Sequence, residues 1–173
     1  MWFNVHQANT IAKFDVKKAI LVEYDIPTRN ANWGNISNSL QFDLDKDDNI
    51  WFTQWTENKI AFLNSSKEIP FTIKSSTREI QIKQNSKSNL ILEVDTKGTK
   101  DINFIASGTF SNNGKLQNIT IEFDHDKTPI NGKENINVII QTDAELNKGT
   151  YTLMISARNE PLTISIPIKL IVI

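Results

Sequence analysis

Three aspartates at alternate positions, Asp43, Asp45 and Asp47, head the run Asp43-Leu44-Asp45-Lys46-Asp47-Asp48-Asn49. Hard carboxylate oxygens spaced in this way begin a calcium loop, because alternate side chains can turn toward one ion. Such a loop also needs a glycine at its sixth position and a bidentate glutamate at its twelfth. Here those positions are Asp48 and Gln54. The competing reading is a solvated hairpin turn, since Asp and Asn accept tight-turn backbone angles and bond to neighbouring N–H groups. A second chemistry lies in the tryptophans, whose flat rings suit stacking on a pyranose. Trp2 and Trp51 fall at equivalent places in a sequence repeat and are expected in a core, which leaves Trp33 and Trp55 as candidates for ligand binding.

Catalytic groups are sparse. His6 and His125 are the only histidines and cysteine is absent, so a multi-imidazole or thiolate metal site has almost nothing to draw on. No Gly-rich phosphate loop and no serine in a nucleophile elbow is present. No catalytic residue and no cofactor is therefore expected. His6 takes the place of Trp55 in the repeat, which predicts a packing or strand-end role, and His125 in Asp124-His125-Asp126-Lys127 predicts an exposed turn.

The formal net charge of −1, from 19 basic and 20 acidic residues, gives no positive field for a phosphate backbone, so nucleic acid is not an expected partner. No stretch reaches the roughly 18 to 20 apolar residues that cross a bilayer. The run Ile164 to Ile173 is interrupted by Ser165, Pro167 and Lys169. Met1-Trp2-Phe3-Asn4-Val5-His6 shows neither a basic nor an apolar leader segment, so export is expected only if the true beginning lies upstream. Asn35, Asn64 and Asn118 stand in N-glycosylation triplets that chance also produces in an Asn-rich chain.

The elements that must position these residues repeat. The segment from Trp2 to Asp15 aligns without gaps on Trp51 to Asn64, an offset of 49, with Trp, Phe, Asn, Ile and Ala coincident. A period of about 40 to 50 residues built from short strands is the length of one propeller blade. The second copy reads as four strands: Leu40 to Leu44, Ile50 to Gln54, Lys59 to Leu63 and Ile69 to Ile73. The first lacks the strand that should precede Trp2. One and a half blades cannot close a ring, so their apolar faces need further blades, the second domain or another copy of the chain.

After Lys74 the period is lost. Glu79 to Lys83, Leu90 to Val94, Ile102 to Ala106, Ile119 to Phe123, Ile136 to Gln141, Tyr151 to Ala157 and Leu162 to Val172 read as seven strands. Turns are predicted at Asp95-Thr96-Lys97-Gly98, Ser111-Asn112-Asn113-Gly114, Asn131-Gly132-Lys133 and Lys148-Gly149. Seven strands in about 100 residues is the size of an immunoglobulin-like sandwich, with Tyr151 placed to bond back to upstream backbone. The fold expected is all-β: a partial β-propeller of about one and a half blades over residues 1–74, then an immunoglobulin-like β-sandwich over residues 75–173.

Ile50-Trp51-Phe52-Thr53-Gln54 and Asn58-Lys59-Ile60-Ala61, with Trp2-Phe3 and Asn9-Thr10-Ile11-Ala12 in the first copy, make residues 1–74 resemble the streptogramin lyase (virginiamycin B lyase-like) propeller family. The resemblance implies a seven-bladed parent ring and, in true lyases, elimination from a cyclic depsipeptide ester by a histidine base and a magnesium ion. The glutamate common after Trp-Phe-Thr is Gln54 here and Val5 in the first copy, and Asn32-Trp33-Gly34-Asn35 holds no histidine. The later residues resemble immunoglobulin-like modules of secreted or surface-attached archaeal and bacterial proteins, through Gly149-Thr150-Tyr151-Thr152-Leu153-Met154-Ile155.

The expected function is a non-catalytic extracytoplasmic binding or structural module at the C-terminal end of a longer propeller protein. It would sit outside the cell or on its surface, with remaining blades or another copy as partners and a cell-surface or glycan ligand. The alternative is part of a lyase-like carbon–oxygen lyase whose catalytic residues lie on upstream blades.

Overall fold

The computed structural model describes residues 1–108, 111–112, 115–125 and 127–173. The predicted Asn113-Gly114 turn and Asp126 lie outside them. Strand dominates the described chain, whose helical segments are three short 3-10 turns, as its β-branched, alanine-poor composition predicts. It divides into two compact units, Met1–Ile69 with Glu160–Leu162, and Pro70–Asn159 with Thr163–Ile173. Among the described residues no helix is long and apolar enough to cross a membrane.

In the first unit, β1 (Trp2–Val5), β2 (Thr10–Asp15) and β3 (Ile20–Asp25) pair antiparallel in that order. The strands β4 (Phe42–Leu44), β5 (Ile50–Gln54) and β6 (Lys59–Leu63) form a separate three-stranded sheet. The sequence repeat is a repeat in space. Trp2, Phe3 and Asn4 stand opposite Lys13, Ala12 and Ile11, and at the same offset Trp51, Phe52 and Thr53 stand opposite Phe62, Ala61 and Ile60. Both hairpins turn through a short 3-10 segment, His6–Ala8 or Trp55–Glu57, and close on a left-handed asparagine, Asn9 at φ 57° or Asn58 at φ 51°. Asparagine tolerates that backbone region because its short polar side chain can bond locally.

Alternation along the strands gives each sheet two faces. Ile50 and Phe52 on the inner face of β5 are buried with Ile11 and Ile26, and Trp2, Phe42, Ala61 and Leu63 pack around them. The second copy therefore lies with one face on the first.

The second unit begins earlier than predicted. Its strands are β7 (Phe71–Ser75), β8 (Glu79–Ile82), β9 (Lys87–Gly108), the short pair β10 (Ser111–Asn112) and β11 (Lys115–Leu116), β12 (Ile119–Phe123), β13 (Lys127–Thr142), β14 (Gly149–Asn159) and β15 (Leu162–Val172). The expected fourth blade strand at Ile69 to Ile73 is β7, and it belongs here: Phe71 pairs with Thr96 and Ile73 with Val94. The division thus falls at Ile69/Pro70, ahead of 74/75. Phe71 and Ile73 are both fully buried. An alternating apolar strand fits any sheet with a matching face, so its pattern alone did not choose one.

Two predicted turns are also corrected. Asp95 to Gly98 and Asn131 to Lys133 do not reverse the chain; they lie inside β9 and β13, which stay paired on both sides of them. Their register shifts between Ile130 and Gly132, with Gly98 and Gly132 at positive φ. Glycine inside a strand marks a bulge as readily as a turn. Thr96 secures this one: its buried hydroxyl donates to the Ile130 carbonyl and accepts from the Gly132 N–H, each at 3.0 Å. The predicted strands Leu90–Val94 and Ile102–Ala106 are thereby one. Strand order within the unit is β15-β14-β9-β13-β12, with β7 on β9 and β8 parallel to β15. Tyr151 makes the predicted back-bond, its hydroxyl donating to the Asn147 carbonyl at 2.7 Å.

Candidate functional site

The acidic run forms the β4–β5 hairpin, and Asp45 organises it. Its Oδ1 accepts from the Asp47 N–H at 2.9 Å, the Asn49 N–H at 3.0 Å and the Asn49 amide at 3.2 Å; its Oδ2 accepts from the same amide and from the Trp51 indole N–H, each at 3.1 Å. Desolvation alone would raise the Asp45 carboxyl, but the donors from Asn49, Trp51 and Asp47 outweigh it and hold the pKa at about 2. Asp48 takes the left-handed turn position, φ 60°, where a calcium loop has glycine. Asp43 instead accepts from the neighbouring Leu44 N–H, and both Asp43 and Asp47 are exposed. The three aspartates are not gathered around a common point, and among the described residues no group of three or more His, Cys, Asp or Glu side chains is arranged to hold a metal.

The two tryptophans singled out by sequence do meet. Trp33, at the end of the 3-10 turn Ala31–Trp33, and Trp55, which opens the turn after β5, stand edge to face with ring centroids 5.4 Å apart. They are 53% and 56% exposed, so about half of each residue remains open to solvent. A shallow cleft of about 290 Å³ beside Trp55 is lined by Gln54, Asn58, Lys59 and Ile60. The turns that carry the pair are tied together, because the Asn30 amide donates to Glu57 Oε1 at 2.6 Å and the Thr56 hydroxyl to the Ile36 carbonyl at 3.2 Å.

Trp51, expected in a core, is 47% exposed. It sits on the face of β5 opposite to Ile50 and Phe52, against Phe62 at 4.9 Å, next to exposed Ile60. The repeat located its equivalent Trp2 correctly beside the buried cluster, but among the described residues no sheet covers the matching face of the second copy. Sequence reasoning missed this surface because equivalent positions were assigned equivalent environments, which holds only where the neighbour is also repeated. A groove of about 560 Å³ opens beside it, lined by Asn4 of the first copy and Phe52 as well as by Leu40, Trp51, Thr53 and Ile60. His6 is half-buried in its 3-10 turn, and His125 is exposed with Nδ1 3.4 Å from Asp124 Oδ1.

No protein-family model matches the chain, and no curated protein matches it. Among solved structures it is similar to a family 123 glycoside hydrolase from Clostridium perfringens, at 11% identity and a TM-score of 0.41 over 60% of this chain and 27% of that one. It is also similar to a Bacteroides ovatus GH5 xyloglucanase solved with a XXXG heptasaccharide, at 15% identity and a TM-score of 0.35 over 59% of this chain and 19% of that one. The chain thus spans less than a third of the length of either.

Proposed function

We propose that the chain is a non-catalytic binding or structural module acting outside the cytoplasm, at the cell surface or beyond it. In this reading Met1–Ile69 is a partial propeller of the streptogramin lyase-like kind and the second unit an immunoglobulin-like spacer. The observation that carries it is the exposed Trp33–Trp55 pair, held by paired turns beside a cleft with amide and ammonium groups. Rigid aromatic faces with a polar rim accept the apolar face of a pyranose, and the rim donors and acceptors bond its hydroxyls. The most chemically distinctive carboxylate, Asp45, is occupied by the turn it builds. The ligand class is therefore a neutral oligosaccharide of the cell surface.

The test is titration of the whole chain with soluble oligosaccharides of glucose, mannose and N-acetylglucosamine, read by tryptophan fluorescence and calorimetry. Saturable binding that disappears in both Trp33→Ala and Trp55→Ala is expected. Absence of saturation at millimolar sugar across the panel would overturn the reading.

A further inference from the structure

The first copy shows what its repeated surface is for. Trp2 and Ile11 receive the second sheet, lying with Ile50 and Phe52 in one cluster. Asn9 fastens the chain that leads into that sheet: its amide donates to the carbonyls of Ile26 and Thr28, and its oxygen accepts the backbone N–H and the hydroxyl of Ser37. The outer edge of β2 carries β3, with Ile11 opposite Tyr24.

The corresponding positions recur at the offset of 49, but among the described residues they receive no sheet, linker or strand. The equivalents of Trp2 and Ile11 are Trp51 and Ile60, 47% and 73% exposed. Asn58 has the backbone conformation of Asn9, yet it is exposed and its side chain makes no hydrogen bond among the described residues. The edge of β6 away from β5, equivalent to the edge of β2 that carries β3, has no partner strand among the described residues. Even the ring contact is kept: Lys13 Nζ lies over Trp2 at 5.0 Å, and its equivalent Phe62 lies against Trp51 at 4.9 Å.

We propose that the outer face of β4–β6, with the free edge of β6, is a docking surface for one further repeat of the same kind carried by a partner protein. A strand like Ile20–Asp25 adds to β6, a Ser-bearing linker bonds to Asn58, and a following sheet lays a row like Ile50, Phe52 and Ala61 over Trp51 and Ile60. Strand addition supplies backbone bonds, and the apolar row supplies the desolvated centre. A second copy of this chain fits less well. The row it would offer includes Phe3 and Ala12, and Ala12 is completely buried. A symmetric face-to-face pair would cover only the exposed parts of Trp51, Ile60 and Phe62, which are 47%, 73% and 49% exposed, or roughly 350 Å² at about 200 Å² for a whole large side chain. A stable dimer needs about 800 Å² on each partner. The inference rests on reading Met1–Ile69 as stacked repeats.

The test is a chain in which residues 16–64 are duplicated and inserted after Asn64, the equivalent of Asp15, so that the offset is preserved. The inserted copy carries Asp47→Glu to give its peptides a distinct mass. Hydroxyl-radical footprinting then compares the original Trp51 with and without the insert. Oxidation of Trp51 is expected to fall about fivefold, the effect of burying a half-exposed indole. Ile60→Asp, and independently Asn58→Gly, in the original copy should restore it. An unchanged Trp51 rate with a protease-sensitive insert would overturn the docking surface. So would an unmodified chain that sediments as a dimer and becomes monomeric on Ile60→Asp, because the occupant would then be a second copy. In the unmodified chain, Trp2 oxidised no more slowly than Trp51 would instead overturn the stacked-repeat reading itself.

Discussion

Asn9 and Ser37 are joined twice: one side-chain oxygen accepts the backbone N–H and the hydroxyl of Ser37, both at 2.8 Å. Asn9 is 1% exposed and Ser37 fully buried, so this is a desolvated clamp between the first copy and the linker leading to the second. A buried amide with all its bonds made is costly to remove, because each orphaned partner loses about 1–3 kcal/mol.

Asn9→Gly should therefore destabilise the chain by about 3 kcal/mol, whereas Asn58→Gly should change stability by less than about 0.5 kcal/mol. Glycine is the informative replacement because it keeps the left-handed backbone of both sites without strain. Urea unfolding of the two variants separates side-chain clamping from backbone preference. Equal losses would mean that conformation, and not the Asn9 bonds, matters.

Phe71→Ala should cost about 4 kcal/mol, the usual range for emptying a fully buried aromatic site. The same substitution should speed amide exchange across β9 at Leu92 to Thr96, the stretch that β7 covers. Unchanged exchange there would place Phe71 outside the second unit's core.

How much of this was legible in the sequence depended on whether a feature was local. The repeat from Trp2 to Asp15 and Trp51 to Asn64 was, and its register follows, since turns of equal length that close on the same left-handed asparagine pair their strands alike. The Tyr151 back-bond was legible because it spans only four residues. Sheet membership was not: Phe71 and Ile73 alternate like any half-buried strand, and the choice between β6 and β9 is made by contacts distant in sequence. Gly98 and Gly132 read as turns because a single strand does not reveal that Gly132 will stand opposite Thr96, with the register shift taken up as a bulge. At the candidate site, Trp33 and Trp55 could be named, but their meeting followed only from the turns that carry them.

That bulge gives a third expectation. Thr96→Val keeps the shape of the side chain but leaves the Gly132 N–H and the Ile130 carbonyl without the bonds that Thr96 supplies. The loss should be about 2 kcal/mol. A stability within about 0.5 kcal/mol of the parent would show that these backbone groups find other partners when the hydroxyl is gone.

The fourth concerns pH. Folded Asp45 titrates at about 2, although desolvation pushes it up, because Asn49, Trp51 and Asp47 donate to the ionised form. In the unfolded chain an aspartate titrates near about 3.9. Above that value both states are ionised and the contribution of Asp45 is fully present. As pH falls through the window between, the unfolded state binds the proton first, so this contribution shrinks, and it is gone once the folded carboxyl is also protonated at about 2. The indole N–H of Trp51 bonds to Asp45 Oδ2 at 3.1 Å and reports the event directly. Its proton resonance should move with a midpoint near 2 in the parent and stay flat across this window in Asp45→Asn. A midpoint close to about 3.9 would mean that the donors around Asp45 do not hold its charge in solution.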